Sequence, residues 1–159
     1  MPSFIYTYLA KNEADTVSIA KALALVSKIG DTYALYGTLG AGKSVFARAF
    51  IQNLTKATEV PSPTFTLVQT YEAQDFEIYH FDLYRLKDPD EIWELNMEEA
   101  LFGAVSLIEW PEKMGAYLPR DIFKITITPQ PDGHRLFQIE MISEEKYKRL
   151  QSLTVFSEK

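Results

Sequence analysis

The sequence predicts an α/β fold, and three observations carry that prediction. Residues 32–36 are a short β-prone run, residues 37–44 are rich in glycine, and residues 45–54 repeat apolar side chains at helical spacing. Residues 104–108 are a run of apolar residues interrupted only by Ser106, as expected of a strand covered on both faces. Two pairs of strand-like runs, 66–71 with 76–81 and 123–128 with 135–142, read as antiparallel hairpins.

Taken in order, residues 4–9 are rich in aromatic and β-branched side chains and form the first expected strand. The polar break Lys11-Asn12-Glu13 precedes a helix of about four turns that ends near Ser27, with Gly30 as its stop. Ala20, Leu23 and Ala24 are its expected buried positions, with Val17 and Val26 beside them. The next helix carries Val45, Phe46, Ala49, Phe50 and Leu54 and ends near Thr55. Pro61 and Pro63 then fix φ and remove two N–H donors, so residues 59–65 can be neither helix nor central strand.

After the first hairpin, Asp88 is an N-cap with proline at the first helical position, Pro89. Asn96 interrupts the apolar pattern and splits this region into two short helices, the second ended by Gly103. Ser143 caps a final helix with a thin apolar stripe of Tyr147, Leu150 and Leu153, expected to pack at the sheet edge.

The chemistry is concentrated in Gly37-Thr38-Leu39-Gly40-Ala41-Gly42-Lys43-Ser44, which fits the phosphate-binding P-loop pattern G-x-x-x-x-G-K-[ST]. Glycines let successive backbone N–H groups turn inward onto phosphate oxygens. Lys43 supplies a cation for the β- and γ-phosphates, Ser44 a hydroxyl for Mg²⁺, and the following helix an N-terminus that favours the anion. Ser62 or Thr64 is placed to reach the γ-phosphate or Mg²⁺, although a rigid proline turn fits the same residues. Asp82 ends an apolar strand, as a Mg²⁺ ligand would, or it caps the next helix. Glu109 ends another such strand and is read as a metal neighbour or base for the attacking water, or as an exposed strand-end charge. Trp110 is open to stacking on a base or partner, or to simple burial.

At 159 residues the chain fits one domain with a proper core, and 47% hydrophobic with 24% charged residues is an ordinary globular balance. The absence of cysteine excludes disulfides, thiolate metal sites and a cysteine nucleophile, and two histidines exclude a histidine-rich metal centre. A net charge of −6 disfavours direct nucleic-acid binding, so any RNA is expected to be held by a partner. No apolar run approaches a membrane span, which gives a cytoplasmic location as the expectation.

Four blocks together resemble the TsaE (YjeE) family: the P-loop, Pro61-Ser62-Pro63-Thr64-Phe65, His80-x-Asp82-x-Tyr84-Arg85, and Ile108-Glu109-Trp110-Pro111-Glu112. The resemblance implies a P-loop NTPase fold with a mainly parallel central sheet, antiparallel hairpin additions and helices on both faces. It implies ATP and Mg²⁺, an ATPase that supports TsaD-like and TsaB-like proteins in threonylcarbamoyl modification of adenosine in tRNA, and contact with tRNA only through that complex. By position it assigns phosphate to Lys43 and Mg²⁺ to Ser44, nucleotide sensing to Thr64 and Asp82, and the metal or attacking water to Glu109. Trp110 falls near the nucleotide or partner, Lys11 and Asn12 become neighbours of the base, and Arg135 is a weaker one. Family members often carry Asp where Thr38 stands and Thr where Ser44 stands; the second exchange keeps the hydroxyl.

Other classes remain open on the sequence. A small kinase would need an arginine-bearing lid, and the five arginines do not cluster. A GTPase would usually show Asn-Lys-x-Asp, and no Asn-Lys pair occurs. A nucleotide-dependent scaffold with negligible turnover has the same sequence signature as a slow ATPase, with Arg85 the candidate for an arginine finger in cis or, equally, the partner of an acidic neighbour.

Overall fold

A computed structural model describes residues 3–156. Its strands are β1 (Phe4–Ala10), β2 (Thr32–Tyr36), β3 (Val68–Glu72), β4 (Glu77–Asp82), β5 (Val105–Glu109), β6 (Phe123–Pro129) and β7 (Arg135–Met141). They form one seven-stranded sheet in the order β1-β7-β6-β2-β5-β4-β3. β2 lies between β5 and β6 and runs parallel to both, and β4 runs parallel to β5. β3 is antiparallel to β4, while β7 is antiparallel to both β6 and β1. The architecture is therefore α/β, with a mixed sheet that is parallel at its centre.

Burial explains that arrangement. Every residue of β5 is buried, and four of the five in β2, which suits strands covered on both faces. At the margin, β1 alternates half-buried Phe4, Tyr6 and Tyr8 with exposed Ile5, Thr7 and Leu9, so only one of its faces is covered.

The helices are α1 (Glu13–Leu25), α2 (Lys43–Leu54), α3 (Met97–Gly103) and α4 (Glu144–Gln151), with 3-10 turns at Pro89–Leu95, Pro111–Tyr117 and Thr154–Phe156. α1 and α2 pack side by side, and their Ile19, Leu23, Phe46 and Phe50 share a core with Tyr33, Leu107, Phe123 and Phe137. A second core joins Met97 and Ala100 of α3 and Ile92 to Phe81 and Ile108. Successive strand residues point to opposite faces, and Leu107 and Ile108 lie in different cores, so helices cover both faces. α4 meets the β1 margin by stacking Tyr147 on Phe4 and Tyr6.

The first helix differs from its expected form. Its buried face is Thr16, Ile19, Ala20, Leu23 and Ala24, and Val17 points outward, about 100° round the helix from Thr16. It closes at Val26, whose N–H reaches the carbonyls of Leu23 and Ala24, near Ser27 as expected but without Gly30 as its stop. Gly30 instead donates its N–H to Ala104 O at 2.8 Å, tying the approach to β2 to the residue before β5. The break at Asn96 is present, with that residue left-handed at φ 61°.

This topology gathers distant segments along one edge. The parallel strands all end there, so residues after β2, β4 and β5 are neighbours. β7 starts there, since Arg135 is opposite both Pro129 and Ala10, and the segment leading into β3 arrives there too.

Candidate functional site

The glycine loop leaves β2 beside Glu109, because Leu35 pairs with Glu109 in register. A side chain at Gly37 would be crowded: a Cβ there would lie 3.0 Å from Ile127 O and 3.1 Å from the Ala41 Cβ. Gly42 caps α2 at φ 110°, a conformation that only glycine adopts cheaply. The first amides of α2 have no partner inside the helix and face this edge with the positive end of its dipole. The loop is thus a cradle for an anion made of backbone.

Lys43 sits within that cradle. Its Nζ donates to Gly37 O at 2.6 Å and lies 3.7 Å from the centroid of the Trp110 ring. Burial lowers its pKa from the usual lysine value, against the opposing pull of Glu109, Glu112 and Asp82. Trp110 is held at φ 60°, uncommon for a bulky side chain, and its ring also packs against Tyr84 at 5.0 Å. The tryptophan is half-buried, between the open stacking surface and the fully buried ring that the sequence allowed.

Two buried carboxylates face this lysine across the sheet edge. Asp82 and Glu109 are register partners on adjacent parallel strands, so they point to the same face. Asp82 Oδ1 accepts from the Tyr84 backbone N–H at 3.0 Å and Oδ2 from Thr64 Oγ1 at 3.1 Å. Thr64 has only one hydroxyl proton, so the 2.8 Å contact between Ser62 and Thr64 is a donation from Ser62. Asp82 closes a local turn and does not cap the next helix, a task that falls to Asp88. Glu109 is 3% exposed, which corrects the picture of a solvated strand-end charge, and its Oε2 lies 2.7 Å from His80 Nε2.

A cavity of about 370 Å³ opens between the loop and these carboxylates. Leu39, Gly40, Gly42, Lys43 and Ser44 line one side, with Ser62, Thr64, Asp82, Glu109 and Trp110 opposite and Arg135 at the rim. Arg135 donates to Gly40 O at 3.3 Å. A smaller recess of about 120 Å³ adjoins it, bounded by Asn12, Thr16, Gly42 and Arg135 among others. Asn12 Oδ1 accepts from Asp15 N and so caps α1 at that recess, whereas Lys11 is exposed and does not line it. Thr38 is exposed on the loop, and Ala41 is buried beneath it. Arg85 stacks over Phe65, 4.5 Å from the ring centroid, in place of an acidic partner.

The donor set suits a hard cation held jointly with phosphate. Ser44, Thr64, Asp82 and Glu109 offer only oxygen, and just two of the four are carboxylates. Among the described residues no group of three or more His, Asp or Glu could hold a metal by itself. Mg²⁺, which takes one or two carboxylates plus phosphate oxygens and water, fits such a set.

A family model described as threonylcarbamoyl adenosine biosynthesis protein TsaE matches residues 10–137. The chain belongs to the TsaE family. A TsaE of Rickettsia felis is 42% identical over 154 residues, covering 95% of this chain and 90% of that one. A Bacillus subtilis TsaE is 37% identical over 125 residues, 78% of each chain. The crystal structure of B. subtilis YdiB superposes with a TM-score of 0.79 at 27% identity, covering 97% of both chains. Membership ties the chain to tRNA threonylcarbamoyladenosine biosynthesis. No helix among the described residues is long and apolar enough to cross a membrane.

Reading the sequence did not find every wall of the site. Tyr84 belonged to a quoted motif but received no role, and Glu13, Thr16 and Gly133 around the recess were given no part in the site. Glu13 and Thr16 lie far from Gly133 in sequence and meet it only because β1 and β7 pair at this edge. Thr16 carried no signal of its own, being one more residue of an amphipathic helix.

Proposed function

We propose that this chain is a P-loop ATPase: it binds ATP with Mg²⁺ in the cavity at the sheet edge, hydrolyses it slowly, and thereby supports TsaD-like and TsaB-like partners in modifying tRNA. The observation that carries the reading is the Lys43 contact with Gly37 O, which puts a cation inside the glycine loop with no carboxylate bonded to it among the described residues. Family membership supplies the pathway.

On this reading the loop amides and Lys43 bind the phosphates, and Ser44 with Asp82 and Glu109 hold the metal side. When bound, Mg²⁺ neutralises phosphate charge and orients the γ-phosphoryl group. Glu109 orients the attacking water or the metal's water shell. Thr64 can exchange its bond to Asp82 for one to the γ-phosphate, so the proline loop and the Asp82 turn respond to the nucleotide state together. Hydrolysis then changes the surface offered to the partner, which transfers the threonylcarbamoyl group; tRNA is touched only through that complex.

Lys43→Ala is expected to weaken ATP binding by roughly two orders of magnitude or more, since a charge-assisted bond is lost in a partly desolvated site. Calorimetric titration with Mg²⁺-ATP checks this. Unchanged affinity would remove the assignment of the loop.

A further inference from the structure

His80 belongs to one of the quoted motifs, yet the proposed mechanism uses only its neighbours. It is 2% exposed, and its Nδ1 is buried with no hydrogen-bond partner among the described residues. Its single side-chain bond is the 2.7 Å contact between Nε2 and Glu109 Oε2. A buried imidazole that serves only to fill space leaves its polar atoms paired, and this one leaves an atom orphaned to keep one bond.

The strand register explains how the two meet. His80 and Asp82 lie two residues apart on β4 and so share a sheet face, which is also the face of Glu109 on β5. His80 stands beside Leu107, one step back from the edge, and reaches forward to the glutamate from behind. An ionised carboxylate has no proton to give, so the hydrogen of this bond sits on Nε2. Oε2 is thereby fixed, and Oε1 is the atom left for the cavity.

The alternative position of Glu109 matters as much. Its carboxylate is the strongest anionic influence on Lys43. Without a donor behind it, the carboxylate would be drawn toward that ammonium, and both groups would be lost to the nucleotide.

We infer that His80 is a positioning residue: its Nε2–H holds Glu109 away from Lys43 with one oxygen directed at the reacting water or metal. The inference rests on the ATPase reading, and it assigns His80 no contact with nucleotide.

The test combines His80→Leu, which removes the donor at similar volume, with His80→Gln, which restores an N–H near the Nε2 position. Circular dichroism and melting establish that each folds. Turnover of Mg²⁺-ATP is expected to fall about 10- to 100-fold in His80→Leu, the usual loss when such a supporting partner is removed. Affinity for a nonhydrolysable ATP analogue should change less than about 3-fold by the same argument, and His80→Gln should recover part of the turnover. In a Glu109→Gln background, His80→Leu should cause little further loss, because both act through one carboxylate.

Retained turnover in His80→Leu, an equal loss of affinity, or additive losses with Glu109→Gln would overturn the inference and leave the ATPase reading intact. Failure of the unmodified chain with its partners to hydrolyse bound ATP would overturn the ATPase reading, and the inference with it. Long-range proton–nitrogen NMR of the unmodified, nucleotide-free protein gives a readout that needs neither activity nor a variant. A proton on Nε2 supports the pair, whatever Nδ1 carries; a proton on Nδ1 and none on Nε2 would place two acceptors face to face and contradict it.

Discussion

At the scale of single residues, the site depends on charges placed where water cannot easily reach them. Lys43 is satisfied by a backbone carbonyl and an indole face, neither of which is a full negative charge, so a phosphate entering the loop gains a strong partner without breaking an ion pair. Glu109 differs from Lys43 in what it should contribute. Buried at a strand end and bonded from behind, it is fixed for a role in the transition state more than for grip on the ground state. Glu109→Ala is therefore expected to lower turnover by about 100-fold or more while nucleotide affinity changes by a few-fold. Steady-state rates and calorimetry on the same preparation check the split, and equal losses in both would make Glu109 a binding residue. Its position at a strand end was legible in the sequence, but its burial was not: burial depends on which strands flank β5, and no local pattern near residue 109 encodes that.

At the scale of elements, the proline loop and the turn after β4 form a coupled pair. Thr64 bonds Asp82, Ser62 bonds Thr64, and Arg85 covers Phe65, which is 80% exposed. These are polar or surface contacts, the kind that open at low cost compared with a packed core. A nonhydrolysable ATP analogue is expected to slow hydrogen exchange at Thr64–Thr66 and at Tyr84 relative to ADP. Equal protection by both nucleotides would argue against γ-phosphate sensing by these segments. The prolines made the irregular backbone here legible in advance, because φ and lost donors are local properties. The α1 helix shows the opposite case. Its apolar residues suggested Val17 for the buried face, while the spacing of Thr16, Ile19, Ala20, Leu23 and Ala24 decided it. Threonine at a buried helical position carries no compositional mark.

At the scale of the whole molecule, the end of the sheet remote from the cavity is fastened by ions. Arg149 on α4 binds the buried carboxylate of Asp31, which precedes β2, and also Glu145 and the Val26 carbonyl. Arg149→Ala would leave Asp31 buried and uncompensated, so a loss of about 3–5 kcal/mol is expected, measured by urea unfolding. Hydrogen bonding to Arg149 is the largest influence on Glu145 and lowers its pKa from 4.5 to about 2. A depressed carboxylate pKa stabilises the fold above its unfolded value, and that contribution fades as pH falls from about 4.5 towards 2. Because Glu145 is half-exposed, solvent screening keeps the effect small. Glu145→Gln should flatten the stability profile in that window, and an unaltered acid limb would contradict the pairing.

The parallel centre was implied by the family resemblance, whereas both hairpins and the order of the motifs were legible in the sequence because each is written in local periodicity and turn chemistry. The neighbour relations were not, since strand order is set by tertiary packing, and those relations bring Asn12, Arg135 and Thr64 to one edge.

The most direct measurement is phosphate release from Mg²⁺-ATP by this chain alone, then with TsaD-like and TsaB-like proteins, with Lys43→Ala run in parallel. Slow release alone, a clear rise with the partners and none from the variant is the result expected of a partner-activated ATPase. Equal release with and without partners, at saturating and verified ATP binding, would contradict that account.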